Sequence, residues 1–82
     1  MVDPDQAVED RIEALIEREH ALRDHAEGHA LTAEEQAELR ATEVRLDQLW
    51  DLLRQRRALR SVGGDPESAH IRSEDVVEHY RQ

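Results

Sequence analysis

Residues 46–60 read LDQLWDLLRQRRALR. Leu46, Leu49 and Leu53 recur at steps of three and four, which puts them on one face of a helix, with the only tryptophan, Trp50, beside them. Working upstream, Leu39 and Thr42 extend the same seam, and neither Gly nor Pro interrupts the chain from Ala33 to Arg60. The spacing therefore predicts a helix over 33–60, roughly 40 Å long at 1.5 Å per residue. Its alternating steps of three and four favour near-parallel, coiled-coil-like packing on another helix. Leu52 and Leu59 fall on a flank about 90° from the seam, so the apolar face is wider than one partner helix covers.

Thr32-Ala33-Glu34-Glu35 has the form of a capping box and marks where this helix begins. Before it, Asp3-Pro4-Asp5-Gln6 is a helix start, with Asp3 as cap, Pro4 in the first turn and Gln6 placed to reach back. Val8, Ile12, Leu15, Ile16, Leu22 and Ala26 then share one face, which predicts a first helix over 4–27 that ends where Gly28 is free to take a positive φ. The short connection makes the two helices antiparallel, with facing residues summing to about 59. Leu15 then faces Val44, Ile12 faces Leu46 and Leu49, and Arg56, Arg57 and Arg60 lie beside Asp3, Asp5 and Glu9. Ser61 to Gly64 close the second helix. The tail, 61–82, holds a second cap-then-proline start at Asp65-Pro66 and a last short helix capped by Ser73. Its Ile71, Val76, Val77 and Tyr80 supply apolar surface for docking in cis or on a second chain.

Composition bounds the rest. In 82 residues there is room for one domain, 1–82, and 2% aromatic content with no Phe leaves the packing to leucine and valine. With no cysteine, disulfides and thiolate metal sites are excluded, and self-association is the remaining way to bury more surface. The start of the chain is acidic, without the basic and apolar regions of a signal peptide, and no apolar run is long enough for a membrane span; the expectation is a cytoplasmic protein. A net charge of −9 argues against nucleic-acid binding, although residues 54–60 hold four arginines and no acid.

Few residue groups suggest chemistry. Glu17 and His20 have the E-x-x-H spacing of di-metal carboxylate bundles. However, Glu17 points well off the apolar face and His20 only to its edge, and the second helix offers no matching inward carboxylate. His20, His25 and His29 cluster near a helix C-terminus, where positive charge is favoured without any metal. Glu19 falls on the apolar face and needs a partner, for which Arg40, Thr42 and Arg45 are nearest; a catalytic acid there lacks a nucleophile or second carboxylate. Arg54, Arg56, Arg57 and Arg60 have the chemistry to hold an anion, yet acids within the hairpin are available to neutralise them.

The block LDQLWDLLRQRRALR followed by GGDPESA, together with REH at Arg18–His20 and VVEHY at Val76–Tyr80, resembles a family of short acidic proteins of unknown function from high-GC bacteria. The resemblance spans nearly the whole chain. It implies a helical fold and a cytoplasmic location and brings no catalytic residues. The expectation is thus an all-α two-helix hairpin with a short C-terminal helical segment, pairing into a homodimeric four-helix bundle. It would be a non-enzymatic interaction module without a cofactor, engaging itself or a further protein through Leu49, Trp50, Leu52, Leu53 and Leu59. The alternatives are a metal-binding redox or storage protein built on Glu17 and His20, and an anion or nucleic-acid accessory protein using the arginine block.

Overall fold

The computed structural model describes residues 3–80, with side chains described through Val77. Helix α1 (Pro4–Ala26) and helix α2 (Ala33–Ser61) are followed by one 3-10 turn (Pro66–Ser68) and a short helix α3 (Glu74–Tyr80). No strand occurs among the described residues, and the fold is the all-α hairpin with a short C-terminal segment that the spacing predicts.

Local chemistry sets the boundaries. Asp3 Oδ1 accepts the Asp5 amide at 3.0 Å, and Pro4 opens α1 with no N–H to waste. Gln6 does not reach back to this cap; it donates to Asp10 Oδ1 one turn on, at 2.9 Å. Gly28 also departs from expectation, because no positive φ occurs there. Instead the Glu27 and His29 amides bond to the Asp24 and Ala26 carbonyls, tightening the last turn so that terminal acceptors are met without a left-handed residue. Helix α2 opens with the reciprocal box, Thr32 Oγ1 accepting the Glu35 amide and Glu35 Oε1 the Thr32 amide. It closes in a Schellman motif, where Gly64 N–H bonds the Leu59 carbonyl at 2.7 Å and Gly63 N–H that of Arg60 at 3.3 Å. Gly63 there has φ +77°, and a Cβ on Gly64 would meet Leu59 Cδ2 at 3.1 Å.

Ile12, Leu46, Leu49 and Leu53 form the core, with Val8, Leu15, Ile16 and Leu52 packed around it. Ion pairs cross between the helices: Glu9 in the first half of α1 holds Arg57 near the end of α2, while Arg18 and Arg23 in the second half of α1 hold Glu38 and Glu43 in the first half of α2, as antiparallel packing requires.

The tail docks in cis, on the flank of α2 away from α1. Val77 is buried there, while polar groups fix the path: Gln48 Nε2 donates to the Arg72 carbonyl at 3.1 Å. The Gln55 amide group bonds both backbone groups of His70, donating at 2.8 Å and accepting at 3.4 Å. Asp51, buried on the same flank, holds Gln55 at 2.9 Å and Arg72 at 3.5 Å. Ser73 caps α3, accepting the Val76 amide on its hydroxyl and the Val77 amide on its carbonyl. The docking role read for Tyr80 lies outside the described side chains. With α1 and the tail both packed on α2, the molecule is a slab of 50 × 32 × 16 Å.

Candidate interaction face around Trp50

A slab this thin leaves its broad faces uncovered, and Trp50 opens onto one of them. The heptad steps that carry Leu46, Leu49 and Leu53 inward toward α1 turn Trp50 to the rim of that contact, where it stays 43% exposed. It borders a cleft of about 420 Å³ lined by Ile16, Glu19, Leu46, Glu43 and Asp47. Its lining thus joins apolar Ile16, Leu46 and Trp50 to three acids.

Along α2 the residues at steps of four and three through Trp50 are Glu43, Asp47, Trp50, Arg54 and Arg57, so acids precede the tryptophan and arginines follow it on one stripe. Glu43 holds Arg23 at 2.8 Å and Arg57 holds Glu9 at 3.3 Å, both pairs largely exposed. Arg54 makes no ion pair among the described residues and is exposed. Of the five interaction residues read from the sequence, Leu49 and Leu53 are buried in the intramolecular core and Leu52 packs against it. Leu59 is half-buried, lining a second cleft with Ala58, Val62 and the tail residues Ser68 and Arg72. Trp50 is the one that remains presented.

The arginine block divides. Arg56 is drawn inside, 7% exposed, where its guanidinium joins three segments: Asp5 of α1, the Pro66 carbonyl at 3.0 Å and Glu67 at 3.3 Å. Arg60 adds a second cation to Asp5 at 2.8 Å. The hydrogen bond from Arg56 holds the Asp5 carboxyl below its ordinary range, against the opposing effect of burial, and the same bond raises Arg56. Arg56, Arg57 and Arg60 are thus committed to acids of their own chain.

Glu17 and His20 are both exposed on the outer surface of α1, and among the described residues no third His, Asp or Glu is grouped with them. The reason is the phase of the helix, which turns both away from α2. Glu19 is half-buried as its position implies, but its ion-pair partner is Arg23 at 3.7 Å, not Arg40 or Arg45. A partner one turn away on the same helix is nearer than any arginine across the hairpin. Sequence reasoning passed over Asp51, Gln48 and Gln55, whose stripe opposite the seam looks solvated until the tail is laid on it. It read His25 and His29 only as imidazoles favoured near a helix C-terminus and Glu35 only as a cap, and did not join the three, which converge at the loop end. There the Thr32 amide hydrogen bond is the main cause that lowers the Glu35 carboxyl below its ordinary range.

These features define a class: a small all-α hairpin with a polar-tethered tail and a presented tryptophan. The chain belongs to the family described as Protein of unknown function (DUF2630), whose model matches residues 4–82. It is 53% identical over 70 residues to Uncharacterized protein Rv0898c of Mycobacterium tuberculosis (strain ATCC 25618 / H37Rv), covering 84% of this chain and 80% of that one. The same identity and coverage hold for Uncharacterized protein Mb0922c of Mycobacterium bovis. No solved structure matches the chain. None of the helices among the described residues is long and apolar enough to cross a membrane.

Proposed function

We propose that the protein is a non-enzymatic cytoplasmic interaction module that works as a homodimer, two copies packing α2 against α2 in antiparallel fashion to make a four-helix bundle with the tails outside. The observation that carries this reading is the stripe centred on Trp50. A two-fold axis beside Trp50 sets Asp47 opposite the second copy's Arg54, so the centre of the stripe is complementary to itself, while Glu43 and Arg57 at its ends keep their own-chain partners Arg23 and Glu9. Isologous contacts require such self-complementarity. The steps of four and three suit the shallow crossing of coiled-coil-like packing. A stable dimer buries roughly 800 Å² per partner, and a slab face 50 by 32 Å across offers that area. An anion or nucleic-acid role loses support because Arg56, Arg57 and Arg60 already hold acids of the same chain.

Sedimentation velocity on the full chain tests the proposal. The wild type sediments as a dimer at micromolar concentration, and Trp50→Glu shifts it to monomer with unchanged helicity. Arg54→Asp weakens the dimer, and adding Asp47→Arg restores it. A wild-type monomer, or a dimer indifferent to these changes, overturns the reading.

A further inference from the structure

The loop end of the hairpin brings together three donor side chains that the Trp50 face does not use. His25 sits in the last turn of α1, His29 four residues later in the connection, and Glu35 in the first turn of α2. One donor atom from each lies within 4.8 Å of the other two. His25 Nε2 stands 2.9 Å from Glu35 Oε2, and the two imidazole rings meet edge to face with centroids 4.2 Å apart. Glu35 is fixed before any ligand arrives. Its Oε1 accepts the Thr32 amide at 2.9 Å and its own amide is held by Thr32 Oγ1 at 3.0 Å, which leaves Oε2 aimed at the histidines.

We propose that His25, His29 and Glu35 form a binding site for a zinc-type divalent transition-metal ion, with water completing a tetrahedron. The donor chemistry selects the ion. Two imidazole nitrogens and one carboxylate oxygen suit zinc and its neighbours, whereas calcium and magnesium want oxygen alone. The distances suit it too: bonds of about 2.0–2.2 Å to one ion place tetrahedral donors roughly 3.3–3.5 Å apart. His25 and Glu35 are already closer than that, and no donor pair of the three is more than 4.8 Å apart. The amide of Thr32 acts as the outer hydrogen bond that metal sites use to orient a ligating carboxylate. All three side chains reach solvent at least in part, so an ion has a path in. Because the ligands come from the end of one helix and the start of the next, the ion clamps the connection between them. In a chain without cysteine, such a clamp does for the hairpin what a disulfide does elsewhere.

The test uses the full chain without an affinity tag, stripped with chelator and titrated with zinc chloride by calorimetry, with cobalt(II) absorption as a geometric readout. One ion binds per chain, cobalt gives the intense visible bands of a four-coordinate site, and zinc raises the thermal midpoint. His25→Gln and His29→Gln each weaken zinc binding about 100-fold or more and remove the thermal shift, while leaving the Thr32 cap and the core intact. His20→Gln and His70→Gln bind as the wild type does. The site is overturned by the absence of saturable binding, by binding that survives His25→Gln or His29→Gln, or by loss on His20→Gln. Binding of one ion per two chains overturns it as well. Trp50→Glu binds zinc unchanged, which separates this result from the fate of the dimer.

Discussion

Replacing Arg56 by alanine removes a side chain that ties the start of α1 to the turn at Pro66–Ser68. Its guanidinium is held by Asp5, the Pro66 carbonyl and Glu67, and its stem is buried. The bond to Asp5 is charge-assisted and shielded, contributing about 1.5–3 kcal/mol, and the bond to a neutral carbonyl contributes about 0.5–1.5 kcal/mol. The Glu67 contact adds little, since that carboxylate is 68% exposed and well screened. Breaking a buried ion pair costs more when the survivor is orphaned, but Asp5 keeps Arg60 at 2.8 Å. The net loss is therefore about 2–4 kcal/mol, which in a domain of this size lowers the thermal midpoint by roughly 10–20 °C. Arg57→Ala is the control, because its pair with Glu9 is exposed on both sides and costs at most about 0.5 kcal/mol. Urea denaturation followed by circular dichroism measures both, at one fixed protein concentration so that self-association does not enter the difference. Equal losses for Arg56→Ala and Arg57→Ala, or a loss below about 1 kcal/mol for Arg56→Ala, would refute the idea that burial makes Arg56 different from its neighbour.

Three further outcomes follow from the same geometry. Leu53→Ala, at the most enclosed core position, costs about 2–5 kcal/mol by urea denaturation. Asp5 has its carboxyl lowered from 3.8 by Arg56, so its stabilisation is complete above about pH 4 and fades as pH falls through the lower folded-state value. Urea midpoints of Asp5→Asn should accordingly lie below wild type near neutrality and converge on it in acid. Gln55→Ala removes both bonds to the His70 backbone, and hydrogen exchange over 66–77 then quickens while α1 and the core of α2 stay protected.

The hairpin was legible because its signals are local. Asp3-Pro4, the Thr32 capping box and the glycine pair after Val62 act within a few residues, and the Leu46–Leu49–Leu53 spacing fixes a face without reference to anything else. Even the Arg56–Asp5 and Arg57–Glu9 pairs could be placed, since antiparallel register follows from a short connection. Reading failed where the partner was irregular backbone. Gln48, Asp51 and Gln55 look like a solvated stripe in any helical projection, and only the extended tail between Ser68 and Ser73 gives them something to bond. The same applies at the loop: His29 lies beyond the helix end, where the 3.6-residue period no longer tells which way a side chain turns, so its approach to His25 and Glu35 was hidden.

The buried arginine and the exposed tryptophan have a common origin. A chain with one Trp, one Tyr and no Phe has too little apolar volume to wrap α2 on every side. Leucines fill the contact with α1. On the opposite flank Asp51 holds the Arg72 guanidinium and the Gln48 and Gln55 amides hold the tail backbone, whose groups need bonds in any case. Arg56 joins the open end of the hairpin to the turn at Pro66 in the same way. None of these devices covers Trp50 at the centre of the stripe from Glu43 to Arg57, the residue with the largest apolar surface in the sequence. Polar tethering suits a segment of the same chain, fixed in place by connectivity. A surface that alternates acid, tryptophan and arginine suits a body that must arrive in one orientation, and a second copy turned by a two-fold axis presents that same order in reverse.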